Sequence, residues 1–433
     1  MHRIKSATFV VDKPVAMVDE RIRISVQNLD PFQQVTVVAR IKEPNADYIA
    51  HAHVIADTHG TVDLSQHASL GGTYQGTDGM GLLWSMIPAS DARRGEKLSK
   101  KNADTPFKIQ LATMNGCHDV TCWSDVTEPL CISDIQRWYL ASDTERIRVS
   151  TGAVRGSLFL PKNKPKSVGI IDIFGSTGGL IEFRAALLAS HGYAVLAVAY
   201  FNYEDLPKGL ELDLHYFDEA VQFMTSHPRV DSAQGLAVIG TSVGAEIAMH
   251  MTSYNPQIKA CVAINGGTYY GFGSYTYKGA PINEHVHGDW EKIQTTEDVM
   301  NLFELLQSIG DTADLIPIHL ARHAKLLLIH GADDKNSCPS SGLQTAQRMH
   351  DAGNSNNCTL KVYPDAGHLL EPPYMPLCRV SYHHMFSAVV VYGGERRLHA
   401  DAQTDMWRSI LQLFKDTFHV EYERVGRIPL SKM

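Results

Sequence analysis

The sequence lacks the features that would mark a membrane protein or a nucleic-acid-binding protein. No apolar run approaches the roughly 20 residues that span a bilayer, so we expect no transmembrane segment. The opening stretch MHRIKSATFVVDKP has no apolar core of a secretory signal. Basic residues are outnumbered, 39 against 47 acidic, giving a net charge of −8. That balance argues against a nucleic-acid partner held by bulk electrostatics.

Cysteine pairs and clusters of metal ligands are also scarce. The seven cysteines are an odd number without CxxC spacing, which favours a reducing compartment. Two His-x-His pairs, His51/His53 and His285/His287, each put two imidazoles on one side of an extended segment. Because a zinc site needs three or four converging ligands, and histidine is frequent in this chain, we predict no metal and no cofactor.

The hydrophobic pattern divides the 433 residues into two parts, as their number suggests. In the first, apolar and polar residues alternate in short runs separated by polar or Gly/Pro-containing turns. Examples are Ile22, Ile24 and Val26, and Phe107, Ile109 and Leu111. Alternation of period two with frequent turns predicts an immunoglobulin-like β-sandwich over residues 1–140.

From about residue 150 the pattern changes to continuous apolar strands that alternate with helices. The strands SVGIIDIF (167–174), YAVLAVAY (193–200) and LAVIG (236–240) are apolar along their whole length. Such strands predict a mostly parallel sheet with helices on both faces, over residues 141–425. Residues 266–317 are irregular and rich in Gly, Tyr and His, which predicts a lid or pocket wall over the strand ends.

The stretch VIGTSVGAEIAMHM (238–251) holds a serine between two glycines where a strand turns into a helix. Gly-x-Ser-x-Gly alone is a weak signal, because small residues also serve a plain tight turn. With a strand before it and a helix after it, the motif indicates a nucleophile elbow that presents Ser242.

A serine hydroxyl needs a base, and the base needs an orienting carboxylate. In the α/β-hydrolase fold the chain order is Ser, Asp or Glu, then His. Asp334 follows the strand KLLLIHG, and His368 follows the strand CTLKVYP. Asp334 lies one residue deeper in its loop than Asp333, so Ser242, Asp334 and His368 are the predicted triad. Asp333, more typical of a structural turn, stays an alternative.

Acyl transfer also needs two N–H groups directed at the developing oxyanion. One is the backbone N–H of Val243, the residue after the nucleophile. The other comes from the Gly-rich turn at residues 174–179, with Ser176 the favoured donor. Such a turn could instead hold a phosphate, but no Walker lysine or dinucleotide spacing supports that alternative.

Longer stretches resemble the acyl-CoA thioesterase and bile acid-CoA:amino acid N-acyltransferase family. They are GMGLLWSMIP (79–88), DIFGSTGGLIEFRAALLASHGYAVLAVAYFNYEDLPKG (172–209), IGTSVGAEIAM (239–249), GADDKN (331–336), YPDAGHLLEPPYMPLC (363–378) and YGGERRLHADAQTDMW (392–407). The resemblance covers almost the whole chain and implies an immunoglobulin-like domain before an α/β-hydrolase domain. It also implies Ser242, Asp334 and His368 as nucleophile, acid and base.

The resemblance further implies the substrate, an acyl-CoA. Family members with cysteine as nucleophile resemble amide-forming acyltransferases, and those with serine resemble hydrolases. Ser242 therefore favours hydrolysis of fatty acyl-CoA over transfer to an amino acid. A general carboxylesterase and a non-catalytic acyl-CoA-binding protein remain alternatives. Residues 335–338 replace a segment that usually carries a tryptophan, which leaves the acyl preference open.

The tail, residues 426–433, ends in Ser431-Lys432-Met433, close to the peroxisomal address Ser-Lys-Leu. We therefore expect recognition by a peroxisomal import receptor, and a cytoplasmic location otherwise. The sequence predicts no oligomeric state.

Overall fold

The structure is a computed structural model that describes residues 6–271, 274–282, 288–311, 313–337 and 339–420. The chain forms two compact units. One extends to Tyr139 and includes Glu371–Cys378, and the other comprises Leu140–Leu370 and the chain from Arg379 onward. The sequence pattern places 371–378 with the second half, but its three prolines suit neither helix nor central strand. Within the first unit, Lys97 Nζ lies 2.6 Å from Glu371 Oε1.

The first unit is built almost entirely of strands. In chain order it contains β1 (Thr8–Val11), β2 (Val15–Met17), β3 (Ile24–Gln27), β4 (Gln34–Glu43), β5 (Ala46–Ile55), β6 (Val62–Asp63), α1 (Gly81–Trp84), β7 (Ile87–Pro88), β8 (Phe107–Asn115), a 3₁₀ turn (Trp123–Asp125) and β9 (Cys131–Trp138). Strands β1-β3-β6 form one sheet and β2-β9-β8-β4-β5-β7 another. These sheets make up the β-sandwich that the period-two pattern predicts.

The second unit alternates strands with helices. It contains β10 (Thr144–Thr151), β11 (Val154–Pro161), β12 (Ser167–Ile173), α2 (Phe183–Ser190), β13 (Ala194–Ala199), β14 (Glu211–Asp213), α3 (His215–Ser226), β15 (Val230–Asp231), β16 (Leu236–Thr241), α4 (Val243–Tyr254), β17 (Ile258–Ile264), β18 (Ser274–Tyr277), β19 (Ala280–Pro281), a 3₁₀ turn (Trp290–Lys292), β20 (Gln294–Thr296), β21 (Val299–Asn301), α5 (Phe303–Gly310), a 3₁₀ turn (Ile318–Leu320), β22 (Lys325–Gly331), α6 (Pro339–Asp351), a 3₁₀ turn (Ser355–Asn357), β23 (Cys358–Tyr363), β24 (Val380–His383), β25 (Ala388–Val391) and α7 (Arg396–Phe418).

The main sheet of the second unit has the order β10-β11-β13-β12-β16-β17-β22-β23, with β15 beside β12. Strands β10, β11 and β13 pair antiparallel, and the pairs from β13 to β23 are parallel. This is the strand order of the α/β-hydrolase fold, as predicted. Every residue of β12, β13 and β16 is buried, which explains their continuous apolar sequences.

Two element boundaries differ from the sequence pattern. Helix α7 begins at Arg396, upstream of the helical pattern AQTDMWRSILQLFKDTF (402–418), because the Glu395 side chain accepts the N–H groups of Arg397 and Leu398. The helical pattern LDLHYFDEAVQFMTSH (212–227) starts too early, since Glu211–Asp213 form a strand that pairs with β18. Strand β18 lies some 60 residues further along the chain, in the 266–317 region, so the sequence around residues 211–213 does not indicate this pairing. Within the described ranges, no helix combines the length and apolarity needed to cross a bilayer.

Candidate active site

Ser242 occupies a sharp turn between β16 and α4. Its backbone angles are φ 57° and ψ −127°, a region that non-glycine residues rarely adopt. The turn is held by neighbouring backbone: the Ser242 N–H donates to Ile264 O at 2.9 Å, and the Ala245 N–H donates to Ser242 O at 2.8 Å. Strain of this kind persists only where the surroundings enforce it, and it is concentrated at functional sites.

The two glycines that flank Ser242 are required by close packing. A Cβ on Gly240 would lie 2.0 Å from Gly244 O, and one on Gly244 would lie 2.4 Å from Ile173 O. Both distances are far inside van der Waals contact. The motif therefore has its small residues because α4 crosses directly over the ends of β16 and β12.

Asp334 and His368 form a buried hydrogen-bonded pair. His368 Nδ1 lies 2.8 Å from Asp334 Oδ2 and 3.0 Å from Oδ1, and the side chains are 4% and 0% exposed. A carboxylate only accepts, so Nδ1 carries the proton and Nε2 keeps its lone pair. This is the tautomer that a general base requires.

The segment after Asp334 fixes its carboxylate. Asp334 Oδ1 accepts the N–H groups of Asn336 at 2.6 Å and Ser337 at 3.0 Å, and Oδ2 accepts Ser337 Oγ–H at 3.0 Å. Asp333 has other partners: Lys335 Nζ lies 2.6 Å from its Oδ1, and the Gly394 N–H donates to its Oδ2 at 2.7 Å. Of these two aspartates, Asp334 is the one whose carboxylate lies at hydrogen-bond distance from the His368 ring.

Asn265 holds three loops together and carried no motif in the sequence. Its Nδ2 donates to His368 O at 2.7 Å and to Gly367 O at 3.2 Å, while its Oδ1 accepts the Gly331 N–H at 2.8 Å. It is completely buried at the end of β17 with φ 49°. Asn265 thus fixes the distance between the end of β22 and the histidine loop.

Ser242 and His368 line one cavity, together with Ser176. No hydrogen bond joins Ser242 Oγ to the imidazole in the part of the chain that the structure describes. Catalytic hydrogen bonds are often long before substrate binds. The apolar side of the cavity is formed by Leu302, Leu306 and Ile309 from the 266–317 region.

The Gly-rich turn passes against Ser242. A Cβ on Gly175 would lie 2.9 Å from Ser242 Cβ. The single hydrogen of the Tyr200 hydroxyl is shared between Phe174 O at 2.6 Å and Gly175 O at 2.9 Å, which orients two peptide units of the turn. Ser176 Oγ lies 3.0 Å from His383 Nε2.

Two titratable groups in the cavity, Glu246 and His383, are neutral near pH 7 because of burial. Burial raises the pKa of Glu246 to about 8, against the opposing effect of backbone N–H donors such as Gly271. Burial, followed by repulsion from His368, lowers the pKa of His383 to about 4. Neither residue has a sequence signal, since a lone Glu in a helix or a His in a strand is common.

The strand order and the strained serine between strand and helix define an α/β hydrolase. Residues 212–419 match the family model "BAAT / Acyl-CoA thioester hydrolase C terminal", and residues 19–151 match "Acyl-CoA thioester hydrolase/BAAT N-terminal region". The chain therefore belongs to the acyl-CoA thioester hydrolase/bile acid-CoA:amino acid N-acyltransferase family, as its resemblance predicts.

Similar proteins carry both kinds of activity in their names. Human acyl-coenzyme A thioesterase 1 is 39% identical over 92% of this chain and 93% of its own length. Bile acid-CoA:amino acid N-acyltransferase of Mus musculus is 38% identical, over 92% and 95%. The peroxisomal succinyl-coenzyme A thioesterase of Mus musculus is 36% identical, over 92% and 93%. Family membership alone therefore leaves hydrolysis and transfer to be distinguished.

Proposed function

We propose that the protein is an acyl-CoA thioesterase that hydrolyses fatty acyl-CoA to free fatty acid and coenzyme A through a seryl acyl-enzyme. One observation carries the proposal: Ser242 on its elbow shares a cavity with His368, whose Nδ1 is held by Asp334. Sequence similarity to named acyl-CoA thioesterases supports the substrate class.

In the proposed mechanism His368 Nε2 accepts the proton of Ser242 Oγ as the oxygen attacks the thioester carbonyl carbon. The carbon–sulfur bond then breaks. A thiol with an unperturbed pKa near 8.5 leaves with little need for protonation. The imidazolium gives its proton to the departing coenzyme A sulfur, which restores neutral His368. His368 then removes a proton from water as the water attacks the seryl ester, and it returns that proton to Ser242 Oγ as the fatty acid leaves. Asp334 stays ionised and stabilises the imidazolium.

The Val243 and Ser176 N–H groups are the proposed oxyanion donors. Val243 is the first residue of α4, where the backbone N–H has no intrahelical acceptor. The Ser176 N–H shares a peptide with the Gly175 carbonyl, which points at Tyr200 Oη. In a trans peptide these two groups point in opposite directions, so the Ser176 N–H is directed away from Tyr200. That leaves it free for an oxyanion.

The apolar cavity wall is the proposed site of the acyl chain. Leu302, Leu306 and Ile309 are spaced by four and three residues, so they lie on one face of α5 and its N-cap. Coenzyme A enters only as part of the substrate, and the mechanism requires no metal or organic cofactor.

Palmitoyl-CoA incubated with and without glycine or taurine tests hydrolysis against transfer. We expect free palmitate in both cases and a loss of about 10⁴-fold or more in kcat for Ser242→Ala. Amide formed in preference to free acid would establish the acyltransferase alternative, which the similar mouse enzyme supports. Equal turnover of oxygen esters and thioesters would instead indicate a general carboxylesterase.

We propose a peroxisomal location with import through the tripeptide Ser431-Lys432-Met433, which lies outside the described residues. The name of the similar mouse thioesterase supports this compartment. Microscopy of a fluorescent protein fused upstream of residues 420–433, with and without the tripeptide, tests it. A diffuse signal in both cases would contradict the proposal.

A further inference from the structure

Strand β5 presents two histidines to a loop of the same unit. His51 and His53 lie on one face of the strand, and their ring centroids are 5.3 Å apart. The loop after β8 brings Asp119 to them: one ligand atom from each of the three residues lies within 4.8 Å of the others. His51 Nε2 is 3.7 Å from Asp119 Oδ1. Asp119 supplies the third ligand that the His-x-His pair lacks in the sequence.

His51 has an unused coordinating capacity. Its side chain is only 9% exposed, and neither ring nitrogen has a partner within 3.5 Å in the described chain; the polar groups that face it are the Asp119 carboxylate, at 3.7 Å, and the Val120 backbone. Buried polar atoms nearly always have partners, and an exception calls for a physical reason such as a missing ion. Here the two unpartnered nitrogens belong to a ring that lies beside a carboxylate and a second imidazole.

His53 is held in a tautomer that suits a ligand. Its Nε2 lies 3.0 Å from the carbonyl oxygen of His118. A carbonyl only accepts, so Nε2 carries the proton and Nδ1 keeps a lone pair. Metal-binding histidines usually donate their second N–H to a carbonyl or carboxylate in this way.

Two glycines pass close to the rings, where a side chain would crowd them, and Thr36 holds the loop in place. A Cβ on Gly71 would lie 3.2 Å from His53 Nδ1, and one on Gly72 would lie 2.9 Å from His51 Cδ2. The loop is attached to the sheet by Thr36, whose Oγ1 donates to Gly116 O at 2.8 Å and accepts the His118 N–H at 2.9 Å. Thr36 is the cross-strand neighbour of His53.

We propose that His51, His53 and Asp119 bind a divalent transition metal, with zinc the ion that suits this ligand set and water in the remaining position. Zinc bonds of about 2.1 Å place tetrahedral ligand atoms about 3.4 Å apart. The ligand atoms, which lie within 4.8 Å of one another, must therefore approach by up to about 1.4 Å, and Asp119 can move because its side chain is 93% exposed. The ion would join β5 to the loop after β8 and takes no part in thioester chemistry.

Zinc binding to the EDTA-treated full-length protein tests the site. Calorimetric titration and elemental analysis should give one zinc per chain, and zinc should raise Tm by about 3 °C relative to EDTA. Asp119→Asn and His53→Gln should each weaken zinc binding at least about tenfold. The matched controls Asp104→Asn and His59→Gln, exposed residues of the same unit, should leave affinity unchanged.

Asp119→Asn is the decisive variant because the Asp119 side chain is exposed, so we expect the substitution to leave folding intact. Circular dichroism of the variant checks that it is folded. X-ray absorption of the zinc-loaded protein should show two imidazole ligands. Nickel and copper titrations establish whether the site prefers another ion of the same class. The proposal would be overturned if none of the three metals bound with one ion per chain. It would also be overturned if Asp119→Asn and His53→Gln left the zinc affinity unchanged.

Discussion

A buried ion pair next to the turn that holds Ser242 offers a sharp test of how buried charges affect stability. Arg184 of α2 donates Nε–H to Asp172 Oδ1 of β12 at 3.0 Å, and a second guanidinium N–H reaches the same oxygen. Its Nη1 donates to Thr241 Oγ1 at 2.6 Å, directly before Ser242. The two charged side chains are 3% and 0% exposed, and the guanidinium lies 4.4 Å from the Phe174 ring centroid.

Asp172→Asn should lower the free energy of unfolding of the second unit by about 3–5 kcal/mol. It leaves a guanidinium without its counter-charge, and arginine cannot lose its proton. Arg184→Met should cost less at low pH, because the remaining Asp172 carboxyl can take up a proton. The double variant Asp172→Leu/Arg184→Met removes both charges at similar volume and should fall within about 2 kcal/mol of the wild type.

Urea unfolding measures the free energies, and hydrogen exchange of peptides covering 167–173 and 236–241 assigns the transition to the second unit. The matched control is Asp401→Asn, which breaks an exposed i,i+4 pair with Arg397 and should cost no more than about 0.5 kcal/mol. An Asp172→Asn variant as mild as this control, or a double variant worse than both single ones, would refute the reasoning.

Three further predictions concern the cavity. Folded Glu246, with its pKa raised to about 8, keeps a proton that the unfolded chain loses above about pH 4.5, so the wild type should lose stability between about pH 4.5 and pH 8. Glu246→Gln should abolish this loss, and the exposed control Glu211→Gln should not. Tm measured against pH checks it, and a Glu246→Gln curve with the slope of the wild type contradicts it. Leu306→Trp should fill the space beside the apolar cavity wall and so lower the ratio of kcat/KM for palmitoyl-CoA to kcat/KM for a short acyl-CoA about tenfold. The exposed Glu304→Trp on the same helix should leave this ratio unchanged. An equal loss of kcat/KM for both chain lengths in Leu306→Trp would contradict the prediction. Tyr200→Phe should lower kcat about tenfold with little change in KM, because it frees the turn that carries one proposed oxyanion donor; steady-state kinetics decide, and an unchanged kcat would exclude the role.

Much of the fold could be predicted from the sequence because its determinants are local. Strands buried on both faces are apolar throughout, and the change of period near residue 150 separates the sandwich from the parallel sheet. The motif around Ser242 is local too, since turn, strand end and helix start lie within a dozen residues. The acid and base follow successive strands, and the pairing of β22 with β23 brings those strand ends together. The catalytic roles of Asp334 and His368 remain predictions.

The rest depends on contacts between distant residues. Asn265 connects three segments that span about 100 residues, and a single asparagine after a strand gives no indication of these contacts in the sequence. His383 reaches Ser176 from a strand 207 positions away. Asp119 approaches the His-x-His pair only because a loop folds over β4. In each case the residue type is ordinary, and only the folded chain gives it these contacts.

The same limit applies within the nucleophile elbow. Gly240 and Gly244 are visible as a motif, yet a third glycine meets an equally strict requirement. A Cβ on Gly266 would lie 2.5 Å from Ala245 Cβ and 2.7 Å from Ser242 O. The elbow therefore depends on the end of β17 as well as on its own turn. Because Ser242 N–H also donates to Ile264 O, any side chain at position 266 would push the strained serine away from the strand that holds it.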